Sequence, residues 1–190
     1  MEKYKFTVQP IENDVFFTTF GKNTRIEVKN ALSIDKFGIL IQKFNEQKKQ
    51  VACVTTYLDS SKALTLANDI LSGRLAKIAQ AQNGDLKPVF EAQGGKRDGD
   101  KVIYRCFKIS RGNKWILGNC SGPGKVTATG GFAAAGELTE KVTIGMDDES
   151  IKAMALKIKA EYQAYRTAKM IVSLNNVEQI EEVDVMEGLF

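Results

Sequence analysis

Short runs of alternating apolar and polar residues, broken by turn residues and replaced twice by a helical spacing after an aspartate, limit this chain's fold more than anything else in it. A period of two marks a strand with one wet face, and steps of three and four mark the buried stripe of a helix. Tyr4, Phe6 and Val8 alternate with Lys3, Lys5 and Thr7, which predicts a first half-buried strand. Residues 14–20 are aromatic and β-branched, Gly21-Lys-Asn turns the chain, and Thr24, Ile26 and Val28 then alternate with Arg25, Glu27 and Lys29. That is a hairpin. Residues 36–44 and 50–57 predict a second hairpin around Asn45-Glu-Gln-Lys-Lys. Asp59 then precedes Ala63, Leu64, Ala67, Ile70, Leu71, Leu75 and Ile78, an N-capped helix reaching about Ala81 and weakened by Gly73.

The order returns in the second half. Residues 88–92, 101–109, 114–120 and 141–145 read as strands, with loops at 93–100 and 121–136; the second loop holds five glycines, Pro123 and a triple alanine. Asp147 then caps a helix with Ile151, Met154, Ala155, Ile158, Tyr162 and Tyr165 on one face, continuing to about Met170. Shifted by 88 positions, Val54-Thr-Thr-Tyr-Leu-Asp59 falls on Val142-Thr-Ile-Gly-Met-Asp147, and Leu66, Ala67 and Ile70 fall on Met154, Ala155 and Ile158. The expected fold is α+β: two ββββα units, each an antiparallel sheet with its C-terminal helix against one face, packed as a pseudo-dimer. They form a single domain over residues 1–173, with repeats at about 1–84 and 85–173, followed by an acidic, flexible tail at 174–190.

Charge is divided as sharply as pattern. No Lys or Arg follows Lys169, and the last thirteen residues carry Glu178, Glu181, Glu182, Asp184 and Glu187 before ending on Leu189-Phe190. The tail is therefore −5 and the rest of the chain +9, which the net +4 conceals. A basic body fits a polyanionic partner, and an acidic end can imitate one.

Composition removes whole classes of chemistry. With no histidine there is no imidazole base, no Ser-His or Cys-His pair and no His-containing zinc site. Cys53, Cys106 and Cys120 are too few for a four-thiolate zinc site and read as reduced thiols near the core. The segment from Asn119 to Val126 fails as a phosphate-binding P-loop, because Asn119 stands at the first glycine and Val126 at the magnesium-binding Ser or Thr. Asp98-Gly-Asp100 is a turn, without the further acids of a calcium loop. No catalytic residue, metal or cofactor is expected. The start has no apolar core of signal-peptide length and no run is long enough to span a bilayer, so a cytoplasmic protein of a bacterial or phage-infected cell is expected.

In element order the chain resembles the superfamily of single-strand nucleic-acid-binding proteins built from ββββα units, which includes the Whirly proteins, the Pur-alpha repeats and positive cofactor four. The resemblance covers about residues 10–170. It rests on the twice-repeated order, the junctions Leu58-Asp59 and Met146-Asp147, the basic hairpins, and the segment Trp115-Ile-Leu-Gly-Asn-Cys-Ser-Gly-Pro-Gly-Lys125. It implies binding of single-stranded DNA or RNA across curved sheet faces, commonly by an oligomer. The acidic end with its terminal Phe190 is similar to the partner-recruiting tails of bacterial and phage single-strand-binding proteins.

Such binding needs cations for phosphates and flat side chains for unpaired bases. Lys3, Lys5, Arg25 and Lys29 are the expected cations of the first unit; Arg105, Lys108, Arg111, Lys114 and Lys125 are those of the second. Phe16, Tyr104 and Trp115 are the expected stacking residues. Glu181, Glu182, Asp184, Glu187 and Phe190 are the expected contacts of the tail with replication or recombination proteins. The expected activity is largely sequence-independent single-stranded DNA binding without catalysis. The alternative is a structural or protein-interaction module that self-assembles through sheet edges.

Overall fold

The alternating runs become strands close to where the pattern puts them. In this computed structural model, which describes residues 14–82 and 86–187 with side chains as far as Leu174, β1 (Val15–Phe20), β2 (Thr24–Ala31), β3 (Lys36–Phe44) and β4 (Gln50–Asp59) form an antiparallel sheet in chain order. The strand expected at Tyr4, Lys3, Lys5, the turn at Asn83-Gly84-Asp85 and Phe190 lie outside the described residues, as do the side chains of Glu181, Glu182, Asp184 and Glu187.

β1 departs from simple alternation. Phe17 to Phe20 pair in turn with Val28 to Arg25, but Val15 pairs with Lys29, which leaves Phe16 as the extra residue of a bulge. The bulge sends both Phe16 and Phe17 to the core side, where Phe16 meets the buried Phe37 edge-on with ring centres 5.7 Å apart. The helix after β4 is two helices, α1 (Ser60–Leu71) and α2 (Arg74–Ala81). The chain breaks at Gly73, whose φ of +75° is a conformation that side-chain-bearing residues avoid. Asp59 stands at the N-cap but makes no capping bond. It pairs instead with Lys36 at 2.9 Å, and that hydrogen bond holds its carboxyl below the usual range.

The second sheet contains β5 (Phe90–Asp98), β6 (Lys101–Arg111), β7 (Trp115–Val126), β8 (Phe132–Ala134) and β9 (Glu140–Met146). β5, β6 and β7 are neighbours; β9 pairs with the first part of β7 and β8 with its end. Both expected loops are thus partly strand. The glycines explain this. A Cβ at Gly122 would lie 2.9 Å from Leu138 Cα, and one at Gly124 would lie 2.7 Å from the Tyr104 nitrogen. They let neighbouring chain approach β7 closely, and flexibility is not their role.

The expectation of three separate thiols is also corrected. Cys106 and Cys120 are direct cross-strand partners on β6 and β7, Cα atoms 5.2 Å apart, and form a disulfide. Cys53 is free, its thiol pushed up chiefly by burial.

Asp147 accepts a hydrogen bond from the Ser150 N–H at 2.7 Å and so caps α3 (Asp148–Glu187) as expected. The helix does not stop near Met170. It runs 40 residues, through the segment expected to be a flexible tail, and beyond Ile158 none of its described side chains is buried.

The inner faces of the two sheets and one stripe each of α1 and α3 share a core. β4 lies against β5, β6, β7 and β9, and β9 lies against β2, β3 and β4, so the strands of one sheet cross those of the other. Asn119 of β7, only 1% exposed, joins them: its Nδ2 donates to the Ile39 and Val54 carbonyls, both at 2.8 Å. Arg105 of β6 reaches the same strand, donating to the Thr55 carbonyl at 3.1 Å. The 88-residue shift maps buried positions onto buried positions: Val54, Thr56 and Leu58 onto Val142, Ile144 and Met146, and Ala63, Leu66, Ala67 and Ile70 onto Ile151, Met154, Ala155 and Ile158. Among the described residues no helix is long and apolar enough to cross a membrane.

Candidate nucleic-acid interface

Of the twelve residues expected to contact a strand, the ten that are described do not share one surface. Phe16 is held against Phe37 by the bulge in β1 and is no open stacking surface. Trp115 is 3% exposed; Arg111 lies over its ring at 4.5 Å, and its Nε1 donates to Asp148 at 2.6 Å. Tyr104 is 5% exposed, in a small apolar cluster with Cys106, Cys120, Phe132 and Leu138, and burial pushes its phenol up. Arg105 is spent on the contact between sheets. Alternation cannot reveal these four cases, because each depends on a bulge or on chain arriving from far away in sequence.

The remaining described cations fall on four regions. Arg25 and Lys29 lie on the outer face of the first sheet, opposite to Ile26 and Val28. Lys108 lies on the outer face of the second, opposite to Phe107 and Ile109. Arg111 and Lys114 flank the turn between β6 and β7, and Lys125 is exposed near the far end of β7.

The outer face of the first sheet combines charge with exposed rings. Phe20, 71% exposed, pairs directly with Arg25. Tyr57, 43% exposed, pairs with Gly38, which pairs in turn with Lys29. A Cβ at Gly38 would lie 3.3 Å from Tyr57 Cε1 and 3.7 Å from Lys29 Cβ, so the Tyr57 ring leans over the bare glycine toward the lysine. Glu27 sits between the cations, 3.0 Å from Arg25 and 3.5 Å from Lys29, and Arg25 Nε donates to Gln42 Oε1 at 2.8 Å. The carboxylate fixes both side chains and cancels one of their charges, leaving a ring on each edge strand, Phe20 on β1 and Tyr57 on β4, with both cations on β2 between them. The sequence signal for Tyr57 was present: it alternates out of phase with the buried Val54, Thr56 and Leu58. Phe20 faces outward by simple alternation after Phe17, and the bulge removes Phe16 from that face.

On the second sheet Lys108 pairs with Glu91 at 3.3 Å, and Lys141 lies two strands away on β9. At the turn, Arg111 is bidentate to Asp148, which the Trp115 N–H also reaches. These bonds, Arg111 first, hold the Asp148 carboxyl down at about 2. A depressed carboxylate stabilises the fold above the ordinary value near 4 and loses that contribution as pH falls toward its folded value. Thermal melts from pH 5 to pH 2 are therefore expected to fall less steeply for Asp148→Asn than for the parent. Parallel curves would remove Asp148 from the acid response. Among the described residues no group of three or more Cys, Asp or Glu is placed to hold a metal. No family model and no curated protein sequence matches the chain.

Proposed function

We propose that the chain is a single-stranded nucleic-acid-binding protein without catalytic activity, built from a duplicated ββββα unit whose outer sheet faces meet the strand. The observation that carries this is the outer face of the first sheet, where the exposed Phe20 and Tyr57 rings on the edge strands flank Arg25 and Lys29 on β2. Bases stack on such rings irrespective of sequence, and cations beside them take the phosphates. The duplication is supported by the matching burial of β4–α1 and β9–α3 at a constant shift and by the equivalent order of the long strands in both sheets. Replication or recombination proteins are the proposed partners of the acidic end.

Binding of labelled oligo(dT) and of a duplex, measured from 20 to 300 mM salt, tests the reading. Single strands are expected to bind in preference to duplex, with a logarithmic salt slope of about −0.7 for each phosphate engaged. No binding at the lowest salt would overturn the proposal. A second reading, self-association, is favoured by Met170, Ile171 and Leu174, large apolar side chains exposed on α3 beyond its last buried residue. Salt-insensitive association without oligonucleotide binding would select it.

A further inference from the structure

A trough of about 350 Å³ lies on the outer face of the second sheet. We infer that it is a slot for one unstacked nucleotide, whose base lies against Ile116, Leu138 and Leu86 while its flanking phosphates meet Lys108 and Lys141. The inference rests on the single-strand-binding reading and goes further, because it assigns a second contact region and the form of ligand it takes.

The floor of the trough is set by Gly118. Its neighbours on the same side of β7 are Ile116 and Cys120; a Cβ at Gly118 would meet only the side chain of Thr143, at 3.2 Å, besides main chain 3.8 Å away. The missing side chain opens a hollow in the sheet surface. Ile116, Leu138, Pro88 and Leu86 give it apolar wall beside the polar Ser110 and Thr143, and Leu86 remains 60% exposed, an arrangement that an aromatic ring would cover. The volume is at the lower end of the roughly 300–1,000 Å³ common for small-ligand sites, matching one nucleotide and too small for a stack.

Charge selects an anion. Lys108 pairs across β6–β7 with Gly118, and Lys141 pairs across β7–β9 with Cys120, so the two cations stand on opposite sides of the hollow. Among the described residues no carboxylate lines it; Glu91 reaches Lys108 from β5, outside the trough, in a partly exposed pair that is cheap to exchange for phosphate. A fatty acid would use the apolar walls but would have one charged end for two opposed lysines. A nucleotide within a strand has a phosphate on each side.

The probe is thymidine 3′,5′-bisphosphate, added to isotope-labelled protein while backbone amides are followed by NMR, together with oligo(dT) binding by the Lys108→Ala/Lys141→Ala variant. Saturable shifts at Ile116, Gly118 and Thr143 are expected. The double variant should bind oligo(dT) about 25-fold more weakly at 0.1 M salt, with a salt slope flatter by about 1.4. If oligo(dT) binds the parent and the variant equally and those amides stay still, the slot is refuted while single-strand binding stands. If the parent binds no oligo(dT), both readings fall. Saturable shifts with laurate and none with the bisphosphate would overturn the slot in favour of a lipid.

Discussion

Asn119→Asp is expected to lower the stability of this protein by about 3–5 kcal/mol at neutral pH, the scale of an uncompensated buried charge. For a chain of this size that is a midpoint lower by roughly 6–20 °C. The amide is 1% exposed and gives both its bonds to main-chain carbonyls of the opposite sheet, so a carboxylate there would face two acceptors with no proton to offer. The pH dependence identifies the cause. Burial raises the folded pKa of the introduced carboxyl, so the charge part of the deficit is absent below the ordinary value near 4 and grows as pH rises through it, leaving at low pH the loss of one of the two donated bonds. Urea unfolding of parent and variant at pH 4 and pH 7.5 measures it. An equal deficit at both values would mean that shape, not charge, is what the position requires.

Removing both exposed rings, Phe20→Ala with Tyr57→Ala, is expected to weaken oligo(dT) binding by roughly 5- to 150-fold for each ring, the range spanned by stacking free energies of about 1–3 kcal/mol per base. Both side chains are exposed, so melting temperatures should hardly move. Phe20→Tyr and Tyr57→Phe keep a π-face at each position and should bind like the parent. The salt slope should be unchanged in all of these variants, because no cation is touched. If the double alanine variant binds as tightly as the parent, the outer face of the first sheet is not the platform.

The elements whose evidence lies within one strand or one helical stripe were legible in the sequence. The β1–β2 and β3–β4 hairpins, the cap at Asp147 and the stripes of α1 and α3 appear close to where alternation and three-four spacing put them. What was illegible depends on partners far along the chain. Gly122 and Gly124 resemble loop residues until Leu138 and Tyr104 are seen packed where their side chains would be. Arg105 looks like a surface cation until β4 arrives with the Thr55 carbonyl. Trp115 looks like a platform until Arg111 and Asp148 close over it. A bulge of one residue turned Phe16 inward and left Phe20 as the ring open to solvent. The site was therefore legible as a kind of surface: of its proposed members Arg25, Lys29 and Lys108 were named from pattern, and the alternation of Tyr57 with its buried neighbours carried the same signal.

The length of α3 decides where its acidic end can act. At a rise of about 1.5 Å per residue the 22 residues from 166 to 187, beyond Tyr165 packed against the core, form a strut of about 33 Å, roughly three times the Debye length of about 10 Å at 0.1 M salt. No proline or glycine interrupts it, so it has no built-in elbow by which to fold back over its own sheets. Under the proposed function, carboxylates carried on such an outrigger would meet neighbouring molecules, and displacement of a bound strand by them would be a crowd effect that rises with protein concentration.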